Sequence, residues 1–180
     1  MSRLLRALAV AMIATLALAG CRKEKTEQYE GHAFAFTVYP GATYVAALTE
    51  LDKRAASAQK PNEAPPPIAI YDTDAPLDTV AAWYAKSYGY EHIAPDATNN
   101  LSAAKPPAYY RMGDLQTDVK AIEPLLRQLH VSADLSKAQG KYRAVEIESK
   151  ASRPRVTLQR PYFDVTKSQV IDRTMILMAP

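Results

Sequence analysis

The chain has 180 residues, 22 Lys and Arg against 19 Asp and Glu, a formal net charge of +3, and 48% hydrophobic residues. That length suits one domain with a core of its own, and so balanced a charge gives no electrostatic footprint for nucleic acid. A single cysteine, Cys21, excludes a disulfide framework within the chain, so the fold rests on its hydrophobic core.

The first segment carries Arg3 and Arg6, then an apolar stretch from Ala7 to Leu18, then Leu18-Ala19-Gly20-Cys21. A basic start, a short apolar run and small residues at a cut site mark a secretory signal. The run is about a dozen residues, short of the roughly 20 that a spanning helix needs. In order, spacing and composition this segment resembles the signal of a bacterial lipoprotein. That resemblance implies that the Cys21 thiol takes a diacylglycerol, that the chain is cut before it, and that the new amine is acylated. With each buried methylene contributing about 0.8 kcal/mol, such a lipid anchors a protein without a membrane-binding face. In that family an aspartate after the cysteine often retains the protein at the inner membrane. Arg22 stands there instead, so the expected location is the bacterial cell envelope, on the periplasmic face of the outer membrane.

The expected division is a signal peptide over 1–20, the lipidated cysteine with a polar tether over 21–32, and one periplasmic domain over 33–180. Arg3 and Arg6 are the only charges in the first 20 residues, so removing those residues leaves 20 basic against 19 acidic.

Phe34, Phe36 and Val38 alternate with Ala35, Thr37 and Tyr39, the period of a half-buried strand. Pro40-Gly41 turns the chain. Ala46 to Ser57 reads as a helix with Leu48, Leu51 and Ala55 inward, and Glu50, Asp52, Lys53 and Arg54 mostly outside. Residues 60–67, KPNEAPPP, form a loop that cannot continue it. A short strand over Ile68 to Tyr71 leads to a second helix. Asp74 or Ala75 is its expected cap, Pro76 lies in its first turn, and Val80, Trp83, Tyr84 and Ser87 face inward, with Gly89 at its end.

Residues 96–107 read as a loop. Asp114 is the expected cap of a third helix with Leu115, Val119, Ile122, Leu126 and Leu129 inward and a break or kink at Pro124. Ser132 to Gly140 reads as irregular. Strands follow over Tyr142 to Glu148, Arg155 to Arg160 and about Arg173 to Met178. Pairing the first two sets Ile147 against Val156, Val145 against Leu158, Glu146 against Thr157 and Glu148 against Arg155. The fold class expected is α+β, with helices packed on one face of a largely antiparallel sheet and a C-terminal three-strand meander.

Tyr39-Pro40-Gly41-Ala42, the run Ile70 to Pro76, Val80 and Trp83-Tyr84 together resemble a pattern of small uncharacterised bacterial exported proteins and lipoproteins. The resemblance implies structural motifs, a turn, a helix start and a core helix face, and brings no catalytic residue with it.

Chemistry-bearing patterns are sparse. His32, His92 and His130 are far apart in sequence, and no paired-cysteine or HExxH motif occurs, so no metal and no cofactor are expected. There is no GxSxG elbow, and no catalytic residue is assigned. Asp72, Asp74 and Asp78 are the densest acids and read as helix-start residues. Eleven tyrosines fit half-buried strands and helix–sheet seams. A groove of Trp83, Tyr109 and Tyr110 for a peptide or sugar is the functional alternative.

The hairpin register also sets Arg143 opposite Arg160, which demands a counter-charge. Asp164 or Asp172 would supply it from within the chain. An anionic ligand or a partner's acidic group would supply it from outside. The expected function is non-enzymatic, a lipid-anchored protein binding an envelope protein or glycan. A small hydrolase of a periplasmic polymer, or a structural subunit of an envelope complex, are the alternatives.

Overall fold

The computed structural model describes residues 25–29, 32–95, 106–150 and 153–180. Cys21 and the signal lie outside these residues. Strand β1 (Lys25–Tyr29) pairs antiparallel with β2 (His32–Phe36), so part of the segment expected to be a polar tether is a strand. The chain then runs through β3 (Thr43–Tyr44), helix α1 (Ala46–Gln59), β4 (Ala69–Thr73), α2 (Leu77–Tyr88), β5 (Ala108–Asp114) and α3 (Leu115–Gln128). A short 3-10 turn (Leu135–Lys137) leads to β6 (Lys141–Ile147), β7 (Arg155–Arg160), β8 (Tyr162–Asp164), β9 (Gln169–Ile171) and β10 (Thr174–Ala179).

Six strands form one sheet in the order β3-β4-β10-β7-β6-β5, with every neighbouring pair antiparallel. Strands β8 and β9 make a small hairpin of their own. The fold is thus α+β on a largely antiparallel sheet, with β6, β7 and β10 as its C-terminal meander. The expected β6–β7 register holds: Ile147 faces Val156, Val145 faces Leu158, Glu146 faces Thr157 and Arg143 faces Arg160. The ladder of these two strands runs to Ile147 and Val156, and an antiparallel bridge between Lys150 and Arg153 keeps the same register beyond it.

The helices divide between the two faces of the sheet rather than sharing one. Leu77, Val80, Ala81, Tyr84 and Tyr88 of α2 pack on Ala69, Val145, Ile147, Val156, Leu158, Ile176 and Met178. The intervening residues Ile70, Tyr142, Ala144, Met175 and Leu177 point to the opposite side. There they meet Leu48 of α1, Leu115, Val119 and Leu126 of α3, and Phe163 of the β8–β9 hairpin. The reason is legible in β10, whose Thr-Met-Ile-Leu-Met-Ala run is apolar on both faces and so needs cover on both.

Local chemistry sets the helix ends. Pro76 is the residue before α2 and no side chain caps it, so Asp74 is not the cap. Gly89 ends α2 in the left-handed region at φ 72°. Its N–H donates to Lys86 O, while Tyr90 N–H donates to Ala85 O at 2.9 Å, a closure that satisfies two terminal carbonyls. Asp114 caps α3 as expected, accepting from Thr117 N–H at 3.0 Å. Pro124 sits within a single helix, depriving Lys120 O of its usual partner. No helix among the described residues is long and apolar enough to cross a membrane.

Candidate functional site

Arg143 and Arg160 lie side by side at the end of the sheet where α2 begins. Asp78, in the first turn of α2, receives Arg143 Nη2 at 3.2 Å and Nη1 at 3.3 Å on its two oxygens. The Tyr110 hydroxyl donates to the same carboxylate at 2.9 Å, and the Arg143 guanidinium lies 5.0 Å above the Tyr110 ring. Arg160 is more completely enclosed. Its Nε donates to Asp172 Oδ1 at 2.8 Å, its Nη2 to Asp172 O at 3.1 Å, and its Nη1 to the carbonyls of Asp74 and Ala75.

The counter-charges therefore come from the chain itself. Asp172, held below the usual carboxylate range by its hydrogen bond from Arg160, serves Arg160. Asp164 does not: it is fully buried in the β8 turn, where Thr166 N–H and Lys167 meet it. A hollow of about 550 Å³ elsewhere lies beside α3, lined by Lys120, Glu123 and Asp134 together with Leu126, Val131 and Leu135.

The acids Asp72, Asp74 and Asp78 are ion-pair partners, not caps. Arg173 reaches Asp72 at 3.1 Å and Asp74 at 3.0 Å, and Tyr162 donates to Asp72 at 2.9 Å. This web holds β4, β10 and the β8 segment in register around the start of α2. Arg160 and Arg173 thus act as struts, and Arg160 spans from β7 to the β4–α2 connection.

The expected aromatic groove does not form. Tyr109 and Tyr110 are neighbours on β5, so they point to opposite faces. Trp83 stacks edge-on against Tyr39 at 5.4 Å and Tyr84 at 4.7 Å, within the α2 side. That contact explains why the Tyr39-Pro40-Gly41-Ala42 turn and the Trp83-Tyr84 pair go together. The Tyr84 hydroxyl donates to Thr37 O at 3.0 Å and accepts from Tyr39 N–H at 3.2 Å, fastening the turn to α2. Among the described residues no group of three His, Cys, Asp or Glu side chains is placed to hold a metal.

A second polar chain crosses the other face. Tyr142 donates to Asp118 and accepts from Arg111. Arg111 pairs with Glu146 at 2.8 Å, and Thr157 donates to Glu146 at 2.7 Å. Burial, then the bond to Asp118, pushes the Tyr142 hydroxyl pKa up. Every member has a partner, so the chain ties β5, β6, β7 and α3 together.

An apolar recess lies on that same face. Helices α1 and α3 flank it without packing closely on one another. Arg54 Nη2, past the middle of α1, donates to Leu129 O at the end of α3 at 2.6 Å. Between them runs a cleft of about 240 Å³, floored by Ile70, Met175 and Leu177 and walled by Leu48 and Ala55 on α1 and Leu126 on α3. Ile122, expected to face the core, is 41% exposed at its rim.

One charged side chain lines the cleft, Asp52. It stands four residues after Leu48 and three before Ala55, on the inward stripe of α1 and not outside it. Among the described residues no donor or cation pairs with it, and desolvation alone pushes its carboxyl pKa up. Sequence reasoning assigned Asp52 to the solvated face with its charged neighbours. The helical spacing from Leu48 was the signal that could have placed it. No family model matches this chain, nor does any curated protein or solved structure.

Proposed function

We propose that this is a lipid-anchored lipoprotein of the bacterial envelope, facing the periplasm and acting by binding, without catalysis of its own. The observation that carries the reading is the ordered signal: Arg3 and Arg6, the apolar run to Leu18, and Leu18-Ala19-Gly20-Cys21. Acyl groups on Cys21 confine the domain to the membrane surface, which raises its effective concentration for ligands and neighbours there. The α1–α3 cleft supports a binding role, being an apolar recess with one polar group, the usual make-up of a small ligand site.

The test is fractionation of cells with labelled palmitate. The parent protein is expected to take up label and sediment with membranes, and the Cys21→Ala variant to lose both. An unlabelled parent, or a Cys21→Ala protein that partitions like the parent, overturns the anchoring and with it the proposed location.

A further inference from the structure

Resting on that binding role, we propose that the α1–α3 cleft takes a small amphipathic amine, an ammonium group against Asp52 with its apolar body between the two helices. The cleft's 240 Å³ matches about eight water volumes, hence an apolar body of about eight non-hydrogen atoms. Its walls and floor offer such a body Leu48, Ala55, Ile70, Leu126 and Leu177.

The charge decides the rest. Asp52 occupies a stripe position where an apolar residue would pack better, and nothing in the described chain neutralises it. Five acids elsewhere in the fold, Asp72, Asp74, Asp78, Asp164 and Asp172, each meet a cation. An anionic ligand would be repelled by Asp52. A neutral apolar one would strip water from the carboxylate and return nothing. A cation on an apolar body fills the recess and pairs the charge at once. A zwitterionic lipid headgroup fits less well, because its phosphate stands between its amine and its apolar tails and would be held close to a carboxylate that repels it.

The probe is n-heptylammonium, titrated calorimetrically into the purified full-length protein, with heptanoate and heptan-1-ol as controls. Saturable binding is expected at one site. Asp52→Asn should weaken it about tenfold, while heptan-1-ol binds the variant at least as tightly as the parent and heptanoate binds the parent at least about tenfold less tightly than the amine. Ala55→Leu, which fills part of the recess, should weaken the amine with the fold retained. The proposal is overturned by no binding of heptylammonium, by equal affinity in Asp52→Asn, or by heptanoate binding as tightly as the amine. Binding to phosphatidylethanolamine vesicles that depends on Asp52, without binding of the free amine, also overturns it in favour of a lipid. The two readings fail separately. Palmitate-labelled protein that ignores heptylammonium defeats the ligand alone, and unlabelled protein that binds it defeats the anchoring alone.

Discussion

Gly113 on β5 exposes the sheet's packing to a direct test. Its φ is not in the left-handed region, so conformational freedom does not explain it. Space does. Gly113 lies opposite Tyr142 on β6, and a methyl group there would overlap Cζ and Oη of that ring and come within 2.6 Å of Cε1. The ring has no room to yield. It is 2% exposed, and its hydroxyl is held by Asp118 and Arg111.

Overpacking a fixed neighbour costs about 1–3 kcal/mol, and displacing the ring adds about 1 kcal/mol for each hydrogen bond lost. Replacing a strand glycine with alanine returns only about 0.5–1 kcal/mol. The steric side wins, so Gly113→Ala should destabilise the protein by about 2 kcal/mol and lower its Tm by about 4–8 °C. Urea denaturation of the parent, Gly113→Ala, Tyr142→Ala and the double variant measures it. With Tyr142 removed, Gly113→Ala should become neutral or mildly stabilising, a coupling of at least about 1 kcal/mol. A stabilising Gly113→Ala in the parent, or the same cost with and without the ring, would refute the packing argument.

Three further outcomes follow from the same contacts. Tyr84→Phe leaves the ring but removes its bonds to the Thr37 carbonyl and from Tyr39 N–H, and should lower the unfolding free energy by about 1–3 kcal/mol in urea titration; no loss would show that the hydroxyl bridge is idle. Arg160→Ala should cost about 1–3 kcal/mol because it unties β7 from Asp172 and two backbone carbonyls. Arg143→Ala, breaking an exposed pair, should cost less than about 1 kcal/mol; equal costs would mean that Arg160 is no strut.

The pH dependence of Asp52→Asn is the third. The folded state disfavours the charged carboxylate and raises its pKa. Asp52 therefore weakens the parent once pH rises through its ordinary value of 3.8 and past the raised folded value. Asp52→Asn should be more stable than the parent at pH 7, with the difference closing below pH 3.8. Thermal melts across that range check it, and an unchanged Tm at pH 7 contradicts the burial of an uncompensated charge.

The parts of this fold legible in the sequence are those with a local cause. Asp114 caps α3 because its side chain reaches Thr117 N–H, and Gly89 ends α2 because it adopts φ 72° without strain. Val145, Ile147, Val156 and Leu158 fixed the β6–β7 register because a one-residue slip would turn them to the wrong face. What stayed hidden depends on partners far along the chain. β5 shows no clean alternation around Tyr109 and Tyr110, and its pairing with β6 decides its state. Cover on both faces of the sheet followed from β10, whose two apolar sides are seen only once it is known to be central.

The candidate sites divide the same way. The register called for a counter-charge and offered Asp164 or Asp172, and choosing Asp172, like the roles of Asp78 and Arg173, needed α2 and β10 in place. The Tyr109–Tyr110 pair could have been separated from sequence alone, because adjacent strand residues point apart. Asp52 was hidden by its charged neighbours Lys53 and Arg54, which meet Glu50 and Leu129 O respectively.

Mass spectrometry of the N-terminal peptide from protein purified out of cell membranes tests the central claim most directly. The account predicts a chain beginning at Cys21, with the mass of a diacylglycerol thioether and an acylated amine. A peptide that retains residues before Cys21, or an unmodified thiol at that position, contradicts it.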